Sequence, residues 1–595
     1  MCLDNGVHYK LIQSLLLEGE PDLDCFDIPL PWSLNQDGVD KRVEKFRSGE
    51  IYVEYVTVTP VPVVLVSRLK SIQTGNEEVC IAWKRLDEWN CRVVPRSMIA
   101  KASEIIKLAD AGLPITSKRA GDLVDYLTDF ESANIERLPI SSVSQQMGWQ
   151  KDSEFLWGNT CLHRTTTESD GTTEGSTDAE ESNSVAFRGT DDAAEQLARG
   201  FHQQGSYDQW YTMARRAMVH PKAALAVYSA LVPPLLSIIG APNFVVDWCG
   251  RTTTGKTTVL RLAASCWGQP DERQRNSVLH TWDATRVWIE RTSAVLEGLP
   301  LILDDTKRAS SGGDVAQVIY DVTSGRGRGR GNPGGMQASS SWHTVLLSSG
   351  EAPATSFTQD GGIRARVLSS WGYPFGKADQ STAPLVLELE QTVRRNFGHV
   401  GPMFVQHLIR MYDKWPNLKD EFHSIQDELV TRAGNQIFAS RLATPMASIE
   451  MNNAFGWQPI DLVDELWDEL VNEAGEADRS DDALRSLVSW AKSNMHRFWG
   501  RHPVDQKGHP KAVTASLAGR WDSGDWEFIA FFPHILDSLL GGWGFEPQAI
   551  KRTWRDKEWL DVEAGRKGFD KQHRVCGERT RLITIPRKAI EAVEG

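Results

Sequence analysis

The stretch FVVDWCGRTTTGKTTVLRLAASCWG (244–268) decides how the middle of this chain folds. Its residues 250–257 follow the pattern G-x-x-x-x-G-K-T, the Walker A spacing of phosphate-binding loops. The apolar run 244–248 predicts a strand entering the loop, and the pattern of 258–266 predicts a helix leaving it. Glycines let backbone N–H groups turn toward a phosphate, and a helix N-terminus adds partial positive charge. The stretch therefore predicts a nucleotide site rather than a chance glycine-rich turn.

The loop and the strand LPLILDDT (299–306) together predict the contacts with ATP and Mg²⁺. Lys256 is expected to reach the β- and γ-phosphates, and the Thr257 hydroxyl to ligate Mg²⁺. Asp304 emerges at the end of the strand, where it would hold the Mg²⁺ hydration shell. Asp305 stands where many such ATPases carry a glutamate that orients water, so slow turnover is an alternative. The residues expected to bind the cofactor are Gly250, Arg251, Thr252, Thr253, Thr254, Gly255, Lys256, Thr257 and Thr258.

Two more polar features follow further apolar strands. WHTVLLSSG (342–350) predicts a strand whose tip offers Ser348 or, preferably, Ser349 as a sensor of the γ-phosphate. Serine at a strand end is often only a turn former, which is the alternative. GGIRARV then places Arg364 and Arg366 ahead of another strand, where an arginine can reach a neighbouring subunit's nucleotide as a finger. Arg366 is the preferred finger, and Arg364 is equally compatible with a plain surface arginine.

Composition and charge limit the classes of protein that fit. The 595 residues are 41% hydrophobic and 24% charged, as in ordinary globular proteins, and suffice for about three or four domains. The net charge of −14 means that nucleic-acid contacts must come from local basic patches. The eight cysteines form no C-x-x-C pair, which favours reduced thiols over disulfides or a zinc site. The N-terminus lacks the pattern of a signal peptide, so a cytoplasmic location is expected.

Four domains are predicted along the chain. Residues 1–215 favour an N-terminal α+β domain, with a disordered acidic loop at 165–184. Residues 216–380 alternate short apolar runs with helical patterns, which indicates an α/β P-loop NTPase (AAA+-like) core. Residues 381–520 predict a helical lid. Residues 521–595 predict a winged helix, because two helices and a basic hairpin follow one another.

Individual elements of the first half follow from local patterns. The β-branched run 51–69 and the run 79–94 predict strands, the second a pair joined by a turn. The spacing of 98–112 predicts one helix that stops at its final glycine. The uncharged stretch 223–240 contains Pro233-Pro234, which predicts two short buried helices rather than a membrane span.

A basic, glycine-rich run, SGRGRGRGNPGGM (324–336), lies between two predicted strands of the nucleotide site. A loop that moves with the nucleotide state must be tethered to such strands. Arg326, Arg328 and Arg330 supply cations for a phosphate backbone, and glycines allow close approach. The alternative is a solvated surface loop.

The order of these motifs resembles the prokaryotic domain-of-unknown-function family numbered nine-two-seven. The resemblance is carried by the Walker A segment, TWDATRVWIERTSAVLEGLPLILDD, the basic run, WHTVLLSSGE and GGIRARV. It extends to VPRSMIA (94–100), MGWQKDSEFLWGNTCL (147–162) and SRLATPMASIEMNNAFGW (440–457), and so covers most of the chain. The family usually has Asp-Glu where this chain has Asp304-Asp305, a pair similar to that of viral superfamily 3 helicases. Arg441 matches a family arginine that would be a second γ-phosphate sensor.

The resemblance implies a function. The family occurs in phages, plasmids and other mobile elements and is grouped with hexameric AAA+ helicases. In helicases of this group an inserted β-hairpin points into the central pore, and the basic run occupies that position. The expected function is therefore an ATP-driven hexameric DNA helicase or translocase that serves replication of such an element, with no membrane partner.

The C-terminal domain is expected to add a second DNA contact or to dock a protein. Its nucleic-acid contacts would come from Lys551, Arg552 and Arg555 on the second helix and from Lys571 and other cations of the hairpin. Two alternatives to a motor remain. One is a nucleotide-gated assembly or defence ATPase, and the other is an AAA+ remodeller of proteins, against which the Arg/Gly run argues.

Overall fold

A computed structural model of the chain describes most of its residues. The described residues are 16–17, 20–21, 23–47, 50–86, 88–150, 154–164, 185–332, 335–337, 339–357, 361–376, 382–433, 443–461, 466, 480–501, 517–543, 545, 547–563 and 568–594. The predicted acidic loop at 165–184 and Arg441 lie outside them, and so do the side chains of Arg330 and Arg552.

Two sheets and a helix build the N-terminal part. After the short pair Leu16–Leu17 and Glu20–Pro21, the elements are β1 (Trp32–Asn35), β2 (Gly38–Arg47), β3 (Glu50–Thr59), β4 (Val63–Ser71), β5 (Glu77–Arg85), β6 (Glu88–Pro95), α1 (Ala120–Ala133) and β7 (Ile140–Ser144). β1, β2 and β3 form an antiparallel sheet. In the second sheet β4, β5 and β6 pair antiparallel, and β7 runs parallel to β4. The strands predicted at 51–69 and 79–94 are thereby confirmed.

The single helix predicted over 98–112 is wrong. The structure has three short helical segments instead, Arg96–Ile99, Ala102–Ile105 and the 3₁₀ turn Ile106–Ala109. Lys101 is extended between the first two, with φ −137° and ψ 125°. The bend lets apolar side chains from all three segments reach the same core, which outweighs the helical propensity of the stretch. The last segment ends at Ala109, three residues before the predicted stop at Gly112, which has a φ of +94° in the turn that follows.

A small sheet, one further strand and four helices follow in the chain. The small sheet consists of β8 (Gly148–Trp149), β9 (Phe155–Trp157) and β10 (Thr160–Leu162). The strand β11 (Ala186–Phe187) pairs parallel with β7 and so extends the second sheet. The helices are α2 (Asp192–Gly200), α3 (Tyr207–Ala217), α4 (Pro221–Leu231) and α5 (Pro233–Ile239). α4 and α5 are the two short buried helices predicted from sequence, and they bend by 60°. Within the described residues, no one helix has the length and apolarity to cross a membrane.

A five-stranded parallel sheet lies at the centre of the molecule. Its segment contains β12 (Phe244–Cys249), α6 (Lys256–Ser265), β13 (Leu279–Thr281), α7 (Arg286–Val295), β14 (Leu301–Asp304), α8 (Gly312–Ser324), β15 (Arg330–Asn332), β16 (Gly335–Gln337), β17 (Val345–Gly350), α9 (Gly361–Arg364) and β18 (Val367–Trp371). The strand order is β13-β14-β17-β12-β18, and all neighbours are parallel. Every residue of β12 and β17 is buried. Because parallel strands end at one edge, the segments after β12, β14, β17 and β18 meet there.

Helices and a mixed sheet complete the chain. The helices are α10 (Thr382–Val393), α11 (Val400–Arg410), α12 (Trp415–Ala433), α13 (Thr444–Phe455) and α14 (Ser480–Ser493). The last part contains β19 (Phe498–Trp499), β20 (Gly519–Arg520), β21 (Phe528–Phe531), α15 (Pro533–Gly542), α16 (Pro547–Asp556), β22 (Lys571–Val575), β23 (Glu578–Pro586) and α17 (Arg587–Glu594). Its sheet order is β19-β20-β21-β23-β22. The two helices and the basic hairpin predicted here are present.

Three large clusters of buried side chains organise these elements. The first spans residues 32–138, the second runs from 147 to 466, and the third from 483 to 593. The second cluster thus joins β8 to β10 with the parallel sheet. The third includes α14, which packs against α17 and α16. The domain boundaries at 215, 380 and 520 stay predictions.

Candidate functional site

The loop between β12 and α6 has the backbone that a phosphate cradle needs. Gly250 has φ +144° and Gly255 has φ +92°, conformations that favour glycine, while Thr253 adopts φ +65°. A Cβ added to Gly250 would lie 3.2 Å from the backbone nitrogen of Gly372, so the loop packs closely on the turn after β18. α6 begins at Lys256, and its first N–H groups therefore face the loop.

Lys256 lies in the mouth of this loop. Its Nζ donates to the carbonyl oxygens of Gly250 at 2.9 Å and Arg251 at 2.7 Å. The Thr254 hydroxyl also donates to the Arg251 carbonyl, at 3.0 Å. The ammonium thus lies where it can exchange these carbonyls for phosphate oxygens, as the sequence predicts for Lys256.

Asp304 is the point at which three segments of the site converge. Its Oδ2 accepts a hydrogen bond from the Thr257 hydroxyl at 2.9 Å. Its Oδ1 accepts one from the Ser349 hydroxyl. That hydroxyl in turn accepts from the backbone N–H of Asp305 at 3.1 Å. The structure therefore brings together Lys256, Thr257, Asp304, Asp305 and Ser349.

The pair of Thr257 and Asp304 fits Mg²⁺. One hydroxyl and one carboxylate, completed by waters and phosphate oxygens, form the oxygen set that this ion takes in nucleotide sites. Across the part of the chain that the structure describes, no cluster of three or more His, Cys, Asp or Glu side chains forms an all-protein metal site. A Mg²⁺ shared between this pair and a nucleotide is consistent with both observations.

The structure separates the two candidate sensor serines. Ser349 contacts Asp304 and Asp305, as described above. Ser348 is fully buried, and its hydroxyl accepts a hydrogen bond from the indole N–H of Trp282 at 3.1 Å. Ser349 therefore faces the nucleotide site, and Ser348 supports the packing of the sheet.

Asp305 adopts a left-handed conformation, with φ 63° and ψ 84°. Its Oδ1 accepts from the backbone N–H of Lys307 at 3.3 Å, so the carboxylate caps the turn that follows. A second carboxylate, Glu351, lies across the mouth and accepts from the Thr252 hydroxyl at 2.8 Å. Hydrogen bonds from Thr252 and Lys307 hold the pKa of Glu351 below its usual value. Glu351 thus stays ionised beside the loop.

The two candidate fingers lie away from this site. The carbonyl of Arg366 accepts from the N–H of Val245, so Arg366 is at the amino end of the sheet, opposite the loop. Its guanidinium lies 5.5 Å from the ring centre of Tyr320 on α8. Arg366 therefore cannot reach the loop of its own chain, and could contact only a nucleotide bound to another copy. Arg364 is 5% exposed, so the interpretation of Arg364 as a surface arginine is wrong.

The Arg/Gly run forms a hairpin of two short strands. β15 and β16 pair antiparallel, and nearer the base Gly327 N–H donates to the Ser340 carbonyl at 2.8 Å. Arg326 and Arg328 are exposed. The Glu290 carboxylate of α7 accepts from the backbone N–H of Arg328 at 3.2 Å. In its described residues the run is therefore a hairpin arm on which Arg326 and Arg328 are exposed.

Sequence reasoning missed Asn243, which fixes the base of this arm. Its side-chain amide donates to the carbonyls of Val322, in the last turn of α8 before the run, and of Trp342, after the run, both at 3.1 Å. Its Oδ1 accepts from Thr344 N–H at 3.0 Å, just ahead of β17. Asn243 is 5% exposed and directly precedes β12. An asparagine before a strand signals only a turn, so no local pattern announces this role.

Of the predicted cations whose side chains the structure describes in the C-terminal hairpin and helix, most have protein partners. Lys551 is 4% exposed and bonds to Asp537 at 2.8 Å, so its prediction as a nucleic-acid contact is wrong. Lys571 bonds to Asp561 at 2.6 Å. The Arg555 guanidinium lies 5.1 Å from the ring centre of Phe569.

Two arginines of the same hairpin are exposed and have no acidic partner among the described residues. Arg574 and Arg579 are exposed and directly opposite each other across β22 and β23. They flank the tight turn at Cys576 and Gly577, both with positive φ. Among the described residues neither makes an ion pair. Like charges placed opposite each other repel, which favours an anion between them.

Comparisons with known proteins agree with this picture. The family described as "Domain of unknown function (DUF927)" matches residues 32–341. No curated protein sequence matches the chain. The solved structure "SCCmec type IV Cch - active helicase" superposes with a TM-score of 0.67 at 17% identity, over 96% of this chain and 100% of that chain. This likeness shows a shared fold across almost the whole length.

A second solved structure, "The A form apo structure of NrS-1 C terminal region-CTR", superposes with a TM-score of 0.28 at 8% identity, over 88% of this chain and 96% of that chain. That similarity is too low to indicate a common fold. The family match, in contrast, spans more than half of the 595 residues and contains the phosphate loop, β14 and the arm. The chain is therefore a member of the DUF927 family.

Proposed function

We propose that this chain is an ATP-driven DNA helicase or translocase that works as a hexameric ring, in the replication of a phage, plasmid or other mobile element. The observation that carries the proposal is a single arrangement. The strands that hold Asp304 and Ser349 also flank the basic arm, and Asn243 links the arm to the strand of the phosphate loop. This arrangement supports a coupling between the proposed nucleotide site and the arm.

The nucleotide site supports ATP hydrolysis. In this proposal Lys256 and the loop amides bind the phosphates, and Thr257 and Asp304 hold Mg²⁺; the hydrogen bonds of Lys256 to the loop and of Thr257 to Asp304 support it. Bound Mg²⁺ would offset the negative charge of the phosphates. Ser349 positions Asp304 and the Asp305 backbone at the same edge, where Asp305 is the candidate for orienting water. Arg366, at the far edge, would complete the site of a neighbouring copy.

The arm and the C-terminal hairpin support contact with nucleic acid. Arg326, Arg328 and Arg330 would contact the phosphate backbone from the arm, which lies between β14 and β17 in the chain. Arg552, Arg555 and Lys571 remain candidates for a second contact. The helicase of matching fold supports this choice of activity for the present chain.

The deciding experiment is ATP hydrolysis by the full chain with and without single-stranded DNA. DNA should stimulate hydrolysis severalfold, and Lys256→Ala should lower it by roughly a hundredfold or more, because a charge contact to the transferred phosphoryl group is lost. Changing Arg326, Arg328 and Arg330 to alanine should remove the stimulation and keep the basal rate. Hydrolysis that ignores DNA in the wild-type chain contradicts the motor.

One observation favours a second candidate, a nucleotide-gated assembly or defence ATPase with slow turnover. The Asp305 carboxylate caps its own turn through Lys307 N–H, and it is a methylene shorter than glutamate. Asp305→Glu distinguishes the two functions. A motor tuned for aspartate should lose activity, whereas a slow switch should hydrolyse ATP faster.

A further inference from the structure

We propose that Lys307 binds the γ-phosphate of ATP and lets the nucleotide site distinguish ATP from ADP, with Glu351 as the carboxylate that the lysine exchanges for the phosphate. The inference rests on the proposed function, since it concerns the same nucleotide site. It adds a cation that lies outside the Walker A motif, on the turn that follows Asp304.

The turn that carries Lys307 is fixed at the carboxyl edge of the sheet. It is the 3₁₀ turn Thr306–Arg308, directly after β14, and Lys307 N–H donates to Asp305 Oδ1 at 3.3 Å. Thr306 is buried, and a Cβ added to Gly350 would clash with its hydroxyl, so the turn packs on the end of β17. The Gly350 carbonyl accepts a hydrogen bond at 3.2 Å from the first residue of the phosphate loop. The backbone of Lys307 is therefore held close to that loop.

One carboxylate links the Lys307 ammonium to the phosphate loop. Lys307 Nζ lies 3.4 Å from Glu351 Oε2. The other carboxylate oxygen, Oε1, accepts a hydrogen bond from the Thr252 hydroxyl at 2.8 Å. The side chain of Lys307 is 71% exposed, so its flexible stem can turn without disturbing the packing. The ammonium can therefore move from the carboxylate to a phosphate in the loop.

The charges at the mouth of the loop favour this exchange when the nucleotide carries a γ-phosphate. Hydrogen bonds from Thr252 and Lys307 lower the pKa of Glu351. The positive charge of Lys256 adds to this effect, so the carboxylate stays ionised. A γ-phosphate would bring further negative charge beside Glu351, and like charges at short range repel. An exposed ion pair contributes little stability, whereas a hydrogen bond between an ammonium and a phosphate is strong.

ADP gives Lys307 no comparable partner, because it ends at the β-phosphate, which Lys256 binds in the proposed function. The test therefore compares ADP with the β,γ-imido analogue of ATP, which keeps the γ-phosphate and resists hydrolysis. Calorimetry on the full chain with Mg²⁺ measures the binding of each. Lys307→Ala should weaken binding of the analogue by roughly tenfold, the usual effect of losing one charged hydrogen bond. Binding of ADP should change by less than about twofold.

Two further variants are matched controls. Lys307→Arg keeps the positive charge and should retain much of the affinity for the analogue. Arg308→Ala removes the neighbouring exposed cation of the same turn and should change the binding of neither ligand. If Lys307→Ala unfolds early, Lys307→Gln keeps most of the stem and gives the same comparison.

Glu351→Gln separates this role from that of a plain ion pair. Glutamine keeps an oxygen that can accept from Thr252 and removes the negative charge, so it neither competes for Lys307 nor repels the γ-phosphate. The variant should therefore bind the analogue at least as tightly as the wild type does. An ion pair that only supports the loop predicts a different result, in which Lys307→Ala and Glu351→Gln both weaken binding of the analogue and of ADP alike. That result overturns the proposal.

The remaining outcomes are equally definite. If Lys307→Ala leaves the ratio of the two affinities unchanged, Lys307 does not contact the γ-phosphate. If Arg308→Ala has the same effect as Lys307→Ala, the effect comes from general charge and the proposal is wrong. If the wild-type chain binds neither nucleotide and Lys256→Ala changes nothing, the proposed function itself fails. A wild-type chain that binds both nucleotides without preference rejects only the present inference.

Discussion

At the scale of single residues, the site depends on how one carboxylate is held. Asp304 accepts hydrogen bonds from Thr257 and Ser349, so its two oxygens have fixed directions before any ligand arrives. Fixed polar groups need little reorganisation during a reaction, which is why small displacements of such groups lower rates strongly. The neighbouring serines of β17 offer a matched test of this interpretation.

Ser349→Ala should lower kcat by about tenfold to a hundredfold, with a smaller change in KM for ATP. The variant removes the hydroxyl that bonds to Asp304 and to Asp305 N–H, and leaves the phosphate loop untouched. Ser348→Ala is the control, because it removes only the bond to Trp282. It should lower stability and leave kcat nearly unchanged. Steady-state kinetics and thermal unfolding of both variants check this, and the reverse order of effects would contradict the assignment of Ser349.

A second prediction at this scale concerns pH. The His343 imidazole bonds to Glu297 at 2.7 Å, and this bond raises the pKa of His343. A histidine whose pKa is raised on folding adds stability below its unfolded pKa of about 6.5, and that stability is lost as pH rises through the folded value. His343→Gln should remove this part. The difference in melting temperature between wild type and variant should be largest below about pH 6.5 and shrink at higher pH. A difference that does not vary with pH would contradict the pairing.

At the scale of elements, the sequence predicts best where one local pattern decides the outcome. The strand, glycine loop and helix from 244 to 268 form as predicted, because apolar runs and glycines act within a few residues. The prediction of one helix over 98–112 fails because the helical spacing is only a local signal. The path of the chain also depends on packing against core residues that are distant in the sequence. The prediction that Lys551 contacts nucleic acid fails for a similar reason, since its partner Asp537 lies on another helix.

The base of the arm could not be predicted from the sequence for the same reason. Asn243 bonds to three residues on two segments that lie far along the chain, and no single-sequence pattern indicates those contacts. The Walker lysine and threonine could be named because their spacing carries the chemistry. Asn243 could not be, because its role exists only once the strands are assembled.

Asn243→Asp should therefore destabilise the protein by about 2 to 5 kcal/mol. The substitution keeps the oxygen that accepts from Thr344, and replaces the amide donor by a buried negative charge facing the carbonyls of Val322 and Trp342. Asn35→Asp is the control, because exposed Asn35 uses only its side-chain oxygen, as acceptor for Asp37 N–H. It should change stability by less than about 0.5 kcal/mol. Urea unfolding measures both variants, and equal effects would mean that Asn243 does not clamp the arm.

The hairpin of β22 and β23 gives the next prediction. Changing Arg574 and Arg579 to alanine should weaken DNA binding and reduce the slope of log K against log salt by about 1.4 to 1.8, as expected for two lost phosphate contacts. Arg581→Ala is the control, since Arg581 is already bonded to Glu563 and Asp570. Fluorescence anisotropy with labelled DNA over a range of salt concentrations provides the slopes. An unchanged slope in the double variant would mean that this hairpin does not contact nucleic acid, and would favour a role in protein docking.

At the scale of the whole molecule, the positions of the candidate groups bear on the proposed ring. Lys256 and Asp304 are at the carboxyl edge of the sheet, while Arg366 is at the amino edge of the same sheet. One chain cannot bring them together without unfolding the sheet. A closed ring can, because each copy presents one edge to each neighbour. With a net charge of −14, such copies also need specific contacts to associate.

Mixing two inactive variants tests this arrangement directly. Lys256→Ala chains should be inactive because their own loop is defective, although they still supply Arg366 to a neighbour. Arg366→Ala chains should be inactive because no neighbour supplies the finger, although their loops are intact. In equal mixtures about a quarter of the interfaces would pair an intact loop with an intact finger, so about a quarter of wild-type hydrolysis should return. Each variant alone, at the same total concentration, is the control. If the mixture stays as inactive as its parts, while crosslinking shows that mixed rings form, Arg366 does not act in a neighbouring site.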